Sequence, residues 1–153
     1  MARESFLFRE AIGSFAPGQS LRAALLLTYS FDGKWLEEGF IPDLFDRSVA
    51  TALVIRDANR ILKEAPTVRY HRANAGFSKR VFHPKLGLFV AEDRALALIG
   101  SANLTRGGLE RNLELGSAFE ISPEGGPHAL FDGILSYVGG PLLNELETRG
   151  SAA

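Results

Sequence analysis

The sequence predicts an α/β fold: a mixed, largely buried β-sheet flanked by helices on both faces. Three observations predict it. Apolar runs of strand length recur at Leu21–Ser30, Val49–Ile55, Leu86–Val90 and Ala95–Ile99. Segments with apolar residues spaced by three and four lie between or after them. Strands that alternate with helices stack in layers, and continuous apolar runs suit strands covered on both sides.

In chain order, Leu21–Ser30 follows the turn signal Pro17-Gly18 and reads as a buried strand. Gly33–Phe45 sets Trp35, Leu36, Phe40, Ile41, Leu44 and Phe45 at helical spacing, with Pro42 at a helix start or kink. Trp35, Phe40 and Phe45 are expected in the core. Val49–Ile55 is a second strand, Asp57–Ala65 a short helix ended by Pro66, and Val68–His71 a third strand. Arg72–Arg80, with Asn74, Gly76 and Ser78, reads as a loop. Leu86–Val90 and Ala95–Ile99 form a hairpin across Ala91–Arg94. Leu104–Leu109 is a short helix ending at Gly107-Gly108, and Leu113–Ile121 a strand. Pro123–Pro127 is a turn. His128–Val138 and Pro141–Thr148 are helices separated by Gly139-Gly140, before a loose tail at Gly150–Ala153. The 153 residues read as one domain without repeat or linker.

Composition narrows the chemistry. The absence of cysteine removes disulfides, thiol catalysis and cysteine-ligated metals. The N-terminus lacks the basic start and apolar run of a signal peptide, and the apolar stretch Ala23–Leu27 is too short to span a bilayer. A cytoplasmic protein without membrane contact is expected. A net charge of −1 requires any attraction to phosphate to come from a local patch.

The chemistry concentrates in His83-Pro84-Lys85, Gly100-Ser101-Ala102-Asn103 and Glu114. Cleaving a phosphodiester needs a nucleophile, a proton donor for the leaving oxygen, and cations or donors around the phosphoryl oxygens. His83 offers a nucleophilic ring nitrogen. Lys85, two residues on, faces the same side in an extended segment. Gly100 lets the backbone turn, and Ser101 and Asn103 supply a hydroxyl and an amide. Ser101 and Asn103 have a blander reading as caps of the following helix. Glu114 is placed to accept a proton from the other nitrogen of His83 and so fix its tautomer.

These residues resemble the phospholipase D superfamily, whose signature is HxK, a spacer with an Asp, and GSxN. HPK stands at His83–Lys85, GSAN at Gly100–Asn103, and Asn112-Leu113-Glu114 follows as in the single-motif bacterial nuclease branch. Two departures stand out. Val90 occupies the position of the family Asp, and the spacer is long, with Glu92-Asp93 in the hairpin turn. The resemblance implies a metal-independent phosphodiesterase with no cofactor, working through a phosphohistidine. Because the chain has one HxK, it further implies a homodimer that shares one active site.

Between Arg69 and Lys85 the chain carries Arg69, Arg72, Lys79, Arg80 and Lys85 with no Asp or Glu, and Phe77 and Phe82 offer stacking surfaces. Arg72, Lys79 and Arg80 are the candidate phosphate-binding residues, and DNA is the expected substrate. Thr28-Tyr29-Ser30-Phe31-Asp32, Trp35 and Ile41-Pro42 also resemble phospholipase D-like modules attached to helicases or restriction systems, which suggests such a subunit as a partner. Two competing functions remain: a catalytically idle nucleic-acid-binding or dimerisation module, and a lipid phosphodiesterase.

Overall fold

The computed structural model describes residues 6–58, 69–76, 80–110 and 114–150. A six-stranded sheet in the order β3-β2-β1-β4-β5-β6 forms its middle layer. The strands are β1 (Ala23–Thr28), β2 (Thr51–Asp57), β3 (His71–Ala75), β4 (Leu86–Val90), β5 (Ala95–Gly100) and β6 (Gly116–Ile121). β1, β2 and β3 run parallel, whereas β1–β4, β4–β5 and β5–β6 pair antiparallel. The sheet is therefore mixed, with helices on both faces, as the alternation of elements predicts.

Strand alternation sorts the core into two layers. Ala24 and Leu26 of β1, Val54 of β2, and Phe89 of β4 belong to one buried cluster with Leu36, Phe40, Ile41 and Leu44. That side is covered by α1 (Phe6–Ser14), by α2 (Gly33–Trp35), and by α3 (Ile41–Asp46), which a π-helical turn at Leu36–Phe40 links to α2. Asp32 caps α2, accepting the Trp35 amide at 3.1 Å, and Pro42 sits in the first turn of α3, where a missing N–H costs nothing. On the other face, Leu27, Ile55, Ala75 and Phe82 pack with Leu142, and Leu88 and Ala97 pack with Phe131. This side is covered by α5 (His128–Tyr137) and α6 (Leu143–Gly150), joined by a π-helical turn at Val138–Leu142.

Several expectations need correction. Helix α1 has no counterpart in the sequence reading. It is held by tertiary contacts: Ile12 is buried, and the Phe8 ring lies 5.6 Å from Phe40 and 6.1 Å from Phe89. The third strand is His71–Ala75, not Val68–His71, so part of the expected loop Arg72–Arg80 is a strand. Its polar residues give no strand signal, and pairing with β2 decides its conformation. Asp57 closes β2, while the rest of the expected helix Asp57–Ala65 lies outside the described residues, apart from Ala58. The last strand begins at Gly116 instead of Leu113. Gly139-Gly140-Pro141 does not separate two helices, because the π turn carries the chain through. Phe45 is 45% exposed and no core residue, unlike Trp35 and Phe40. Gly107-Gly108 lies inside α4 (Arg106–Glu110) instead of ending it. The tail beyond Gly150 lies outside the described residues. Among the described residues no helix is long and apolar enough to cross a membrane.

Candidate functional site

β1 ends at Thr28, β4 begins at Leu86, β5 ends at Gly100 and β6 begins at Gly116. Pairing of Leu27 with Leu86, Leu86 with Ile99, and Gly100 with Gly116 brings these four ends to one edge of the sheet. The residues just outside the strands are those singled out in the sequence.

His83 lies exposed in the irregular segment before β4. Its ring faces Tyr29, with centroids 4.6 Å apart and planes inclined by 48°. Lys85 Nζ stands 2.8 Å from His83 Nδ1 and 3.2 Å from Nε2. An ammonium can only donate, so the imidazole nitrogen it meets is an acceptor. Partial burial holds the Lys85 ammonium below the ordinary lysine value, and the nearby charge of Glu114 pushes it back up.

Gly100 is needed for a different reason from the one expected. It has no positive φ among the described backbone. A Cβ there would instead lie 2.7 Å from the Leu115 carbonyl oxygen, so the residue permits close approach of two backbones. Ser101 is no helix cap. Its amide donates to the Leu115 carbonyl at 2.9 Å, its hydroxyl donates to Glu114, and the same oxygen accepts the Leu115 amide at 3.1 Å. The cap is Thr105, whose hydroxyl accepts the Gly108 amide at 3.0 Å. Asn103 is no side-chain cap either. Its amide oxygen lies 3.5 Å from the Oγ1 of fully buried Thr28. Thr28 donates its one proton to the Ser30 carbonyl at 2.7 Å and accepts the Leu104 amide at 3.3 Å, tying β1 to the GSAN turn.

His83 and Lys85 thus meet at this edge, Ser101 and Glu114 meet beside them, and the Gly100 amide, donating to the Lys85 carbonyl at 3.2 Å, ties the two segments together, while Asn103 turns toward Thr28. Glu114 takes a different place from the one expected: the hydrogen bonds of His83 within the chain run to Lys85, while Glu114 serves Ser101 and Lys85. The basic run is not gathered there as a unit. Arg72 lies on edge strand β3, three strands from β4, which is about 14 Å across the sheet. Its guanidinium lies 5.9 Å from the Tyr70 ring centroid. Arg80 is exposed three residues before His83, and Lys79 and Phe77 lie outside the described residues. Phe82 is 2% exposed and packs in the core, so it offers no stacking surface.

Two further residues touch the His83 segment: Tyr29, through its ring, and Asp57, whose Oδ2 accepts the Phe82 amide at 2.7 Å. The polar residue closing the apolar run of β2 was the available signal for Asp57. A groove beside the site runs between His83, Lys85 and Ile99 on one side and Leu130, Ile134 and Tyr137 of α5 on the other. Among the described residues no group of three His, Asp or Glu is placed to hold a metal ion.

No protein-family model matches the chain, and no characterised protein matches it in sequence. Solved structures do resemble it. NucT from Helicobacter pylori superposes with a TM-score of 0.59 at 17% identity, over 94% of each chain. Yeast tyrosyl-DNA phosphodiesterase superposes with a TM-score of 0.55 at 14% identity, over 94% of this chain and 39% of that one. A histidine-to-arginine mutant of yeast tyrosyl-DNA phosphodiesterase 1 gives 0.53 at 14% identity, over 84% of this chain and 34% of that one. This chain therefore spans little more than a third of the yeast proteins, but nearly the whole of NucT. The mixed sheet, its two helical layers and these superpositions together give the chain the phospholipase D fold.

Proposed function

We propose that the chain is one half of a metal-independent phosphodiesterase that cleaves DNA, with a single active site shared by two copies. The observation that carries this reading is the meeting of His83 and Lys85 with the GSAN turn and Glu114 at one exposed sheet edge. The resemblance of its fold to a tyrosyl-DNA phosphodiesterase supports a nucleic-acid substrate.

In the first step a ring nitrogen of His83 attacks phosphorus. The N–P bond forms, the P–O bond to the leaving oxygen breaks, and His83 of the partner subunit gives that oxygen its proton. In the second step His83 of the partner subunit takes a proton from water, which attacks phosphorus and breaks the N–P bond. The products are a phosphate monoester and an alcohol. Proton transfer of this kind contributes on the order of 10²–10⁴-fold. Lys85 and Asn103 offset the charge that grows on the phosphoryl oxygens, the task a metal performs elsewhere. Ser101, whose proton goes to Glu114, holds the turn and keeps Glu114 near Lys85. Of the described candidates, Arg80, exposed three residues before His83, is the better placed to meet a flanking phosphate. Arg72, on edge strand β3, would act only on DNA reaching further along the surface, and Lys79 is kept as a candidate phosphate contact from its place in the sequence alone.

The surroundings support pairing of two copies. Leu115 is 83% exposed beside Ser101, and Ile99 and Tyr137 are each more than a third exposed at the groove. Apolar side chains bordering a polar site mark a surface that a partner covers.

The test is incubation with single- and double-stranded DNA in EDTA, beside His83→Ala, with the molar mass measured by light scattering. Cleavage by a native dimer and none by the variant is expected. Intact DNA in both samples would favour the idle binding module. Cleavage of a lipid analogue but not of DNA would favour the lipid enzyme, and full activity as a strict monomer would remove the shared site.

A further inference from the structure

A nucleophile must be held within about 0.5 Å of its productive place, and a displacement near 1 Å can cost on the order of 100-fold in rate. Residues 81–85, which carry His83, have no regular secondary structure. The imidazole is exposed, so burial in the core does not fix it. Something else must hold it.

We propose that Asp57 and Tyr29 are the positioning residues of His83: one anchors its backbone and the other braces its ring. Asp57 is the last residue of β2 and only 2% exposed. Burying a carboxylate is costly unless it is hydrogen-bonded. This one accepts the Phe82 amide at 2.7 Å, a charge-assisted bond to the backbone of the residue that precedes His83. The Phe82 side chain is sunk between Leu27, Ile55, Ala75 and Leu142, which fixes the same peptide from its other side. Tyr29 follows the last residue of β1, and its ring meets the His83 ring at 4.6 Å. Such a tilted contact restricts rotation of the imidazole without using either of its nitrogens. Both braces come from the carboxyl ends of adjacent parallel strands in the rigid middle of the sheet. They reach across to a segment that enters the sheet from the opposite direction. Each acts through His83, so the consequence for catalysis rests on the function proposed above.

The test uses two pairs of variants in the full chain. Tyr29→Leu removes the ring and Tyr29→Phe keeps it. Asp57→Ala removes the acceptor and Asp57→Asn keeps a carbonyl oxygen. The first readout is the NMR signal of the His83 ring, identified by its loss in His83→Ala. Tyr29→Leu and Asp57→Ala are expected to move or broaden that signal while those of His71 and His128 stay, and the conservative partners are expected to restore it largely. The second readout is DNA cleavage. A fall in kcat of about 10- to 100-fold with KM nearly constant is expected for Tyr29→Leu and Asp57→Ala, with most of it recovered in Tyr29→Phe. If Asp57→Ala does not fold, the Tyr29 pair decides. Folded Tyr29→Leu with native His83 signal and native kcat would overturn the proposal, whatever its melting temperature. If the native protein cleaves no DNA, the NMR arm still decides positioning and only the nuclease reading falls.

Discussion

The β4–β5 hairpin has two ends built on opposite electrostatic principles. At its turn, charges satisfy one another. Arg22 pairs with Glu92 at 2.9 Å, Arg94 with Asp93 at 3.1 Å and with Glu120 at 3.5 Å, and Gln19 donates to Asp93 at 3.1 Å. The Arg94 hydrogen bond, then that of Gln19, holds the Asp93 carboxyl below the usual carboxylate range. At the open end, Lys85 meets the imidazole of His83 and is partly stripped of water, with Glu114 nearby as the counter-charge. One end spends its polar groups on closing the fold. The other leaves a cation partly desolvated beside an exposed imidazole.

The same contrast explains the departure at Val90. Val90 lies five residues along an extended strand from Lys85, about 17 Å away. An aspartate there would belong to the closed end, next to the Arg22 amide that donates to the Val90 carbonyl. Valine at this position therefore leaves the His83–Lys85 end of the hairpin untouched.

Three substitutions sharpen the comparison. The largest effect is expected for Lys85→Met. Losing one donor to a developing oxyanion costs on the order of 10²–10³ in kcat, and removal of a partly desolvated charge should leave the melting temperature unchanged or raised. A large drop in melting temperature would show that Lys85 is structural. Glu114→Gln comes next. Lys85 must be protonated to act, and its folded value already lies below 10.5, so the alkaline limb of the kcat profile should lie below that of an ordinary lysine. Glu114 raises the Lys85 value, so its neutralisation should move that limb to still lower pH. A limb that stays or moves upward would separate the two residues. The smallest effect is expected for Arg22→Ala at the closed end. Its pair with Glu92 is largely exposed, worth roughly 0–1 kcal/mol, and kcat should not change. A loss of activity there would break the division between the two ends.

The strongly apolar strands β1, β2, β4 and β5 were legible because burial on both faces demands continuous apolar runs. Edge strand β3 was not, because its five residues, His71–Ala75, answer to a neighbour and not to a local pattern. Helix α1 was missed for a similar reason: its phenylalanine contacts exist only once the π-helical turn Leu36–Phe40 and β4 stand beside it. In the candidate site, HPK and GSAN could be singled out because the proposed chemistry depends on residue type and short spacing. Asp57 and Tyr29 could not be assigned, since Asp57 lies 25 residues from Phe82 in sequence and acts by touching its backbone. The expected stacking role of Phe82 failed on direction: the strand entry turns its ring into the core and His83 outward.

The amino-acid order by itself named the candidate groups for chemistry, because nucleophilicity, charge and hydrogen-bonding capacity belong to side chains. It also settled the layered class of the fold, because hydrophobic period is written locally. Which of those groups meet was decided only by tertiary pairing. Parallel and antiparallel strands had to end at one edge before His83, Lys85, Asn103 and Glu114, spread over 32 positions, could be brought to the same end of the sheet. Chain connectivity places no such constraint, and the registers of the sheet do.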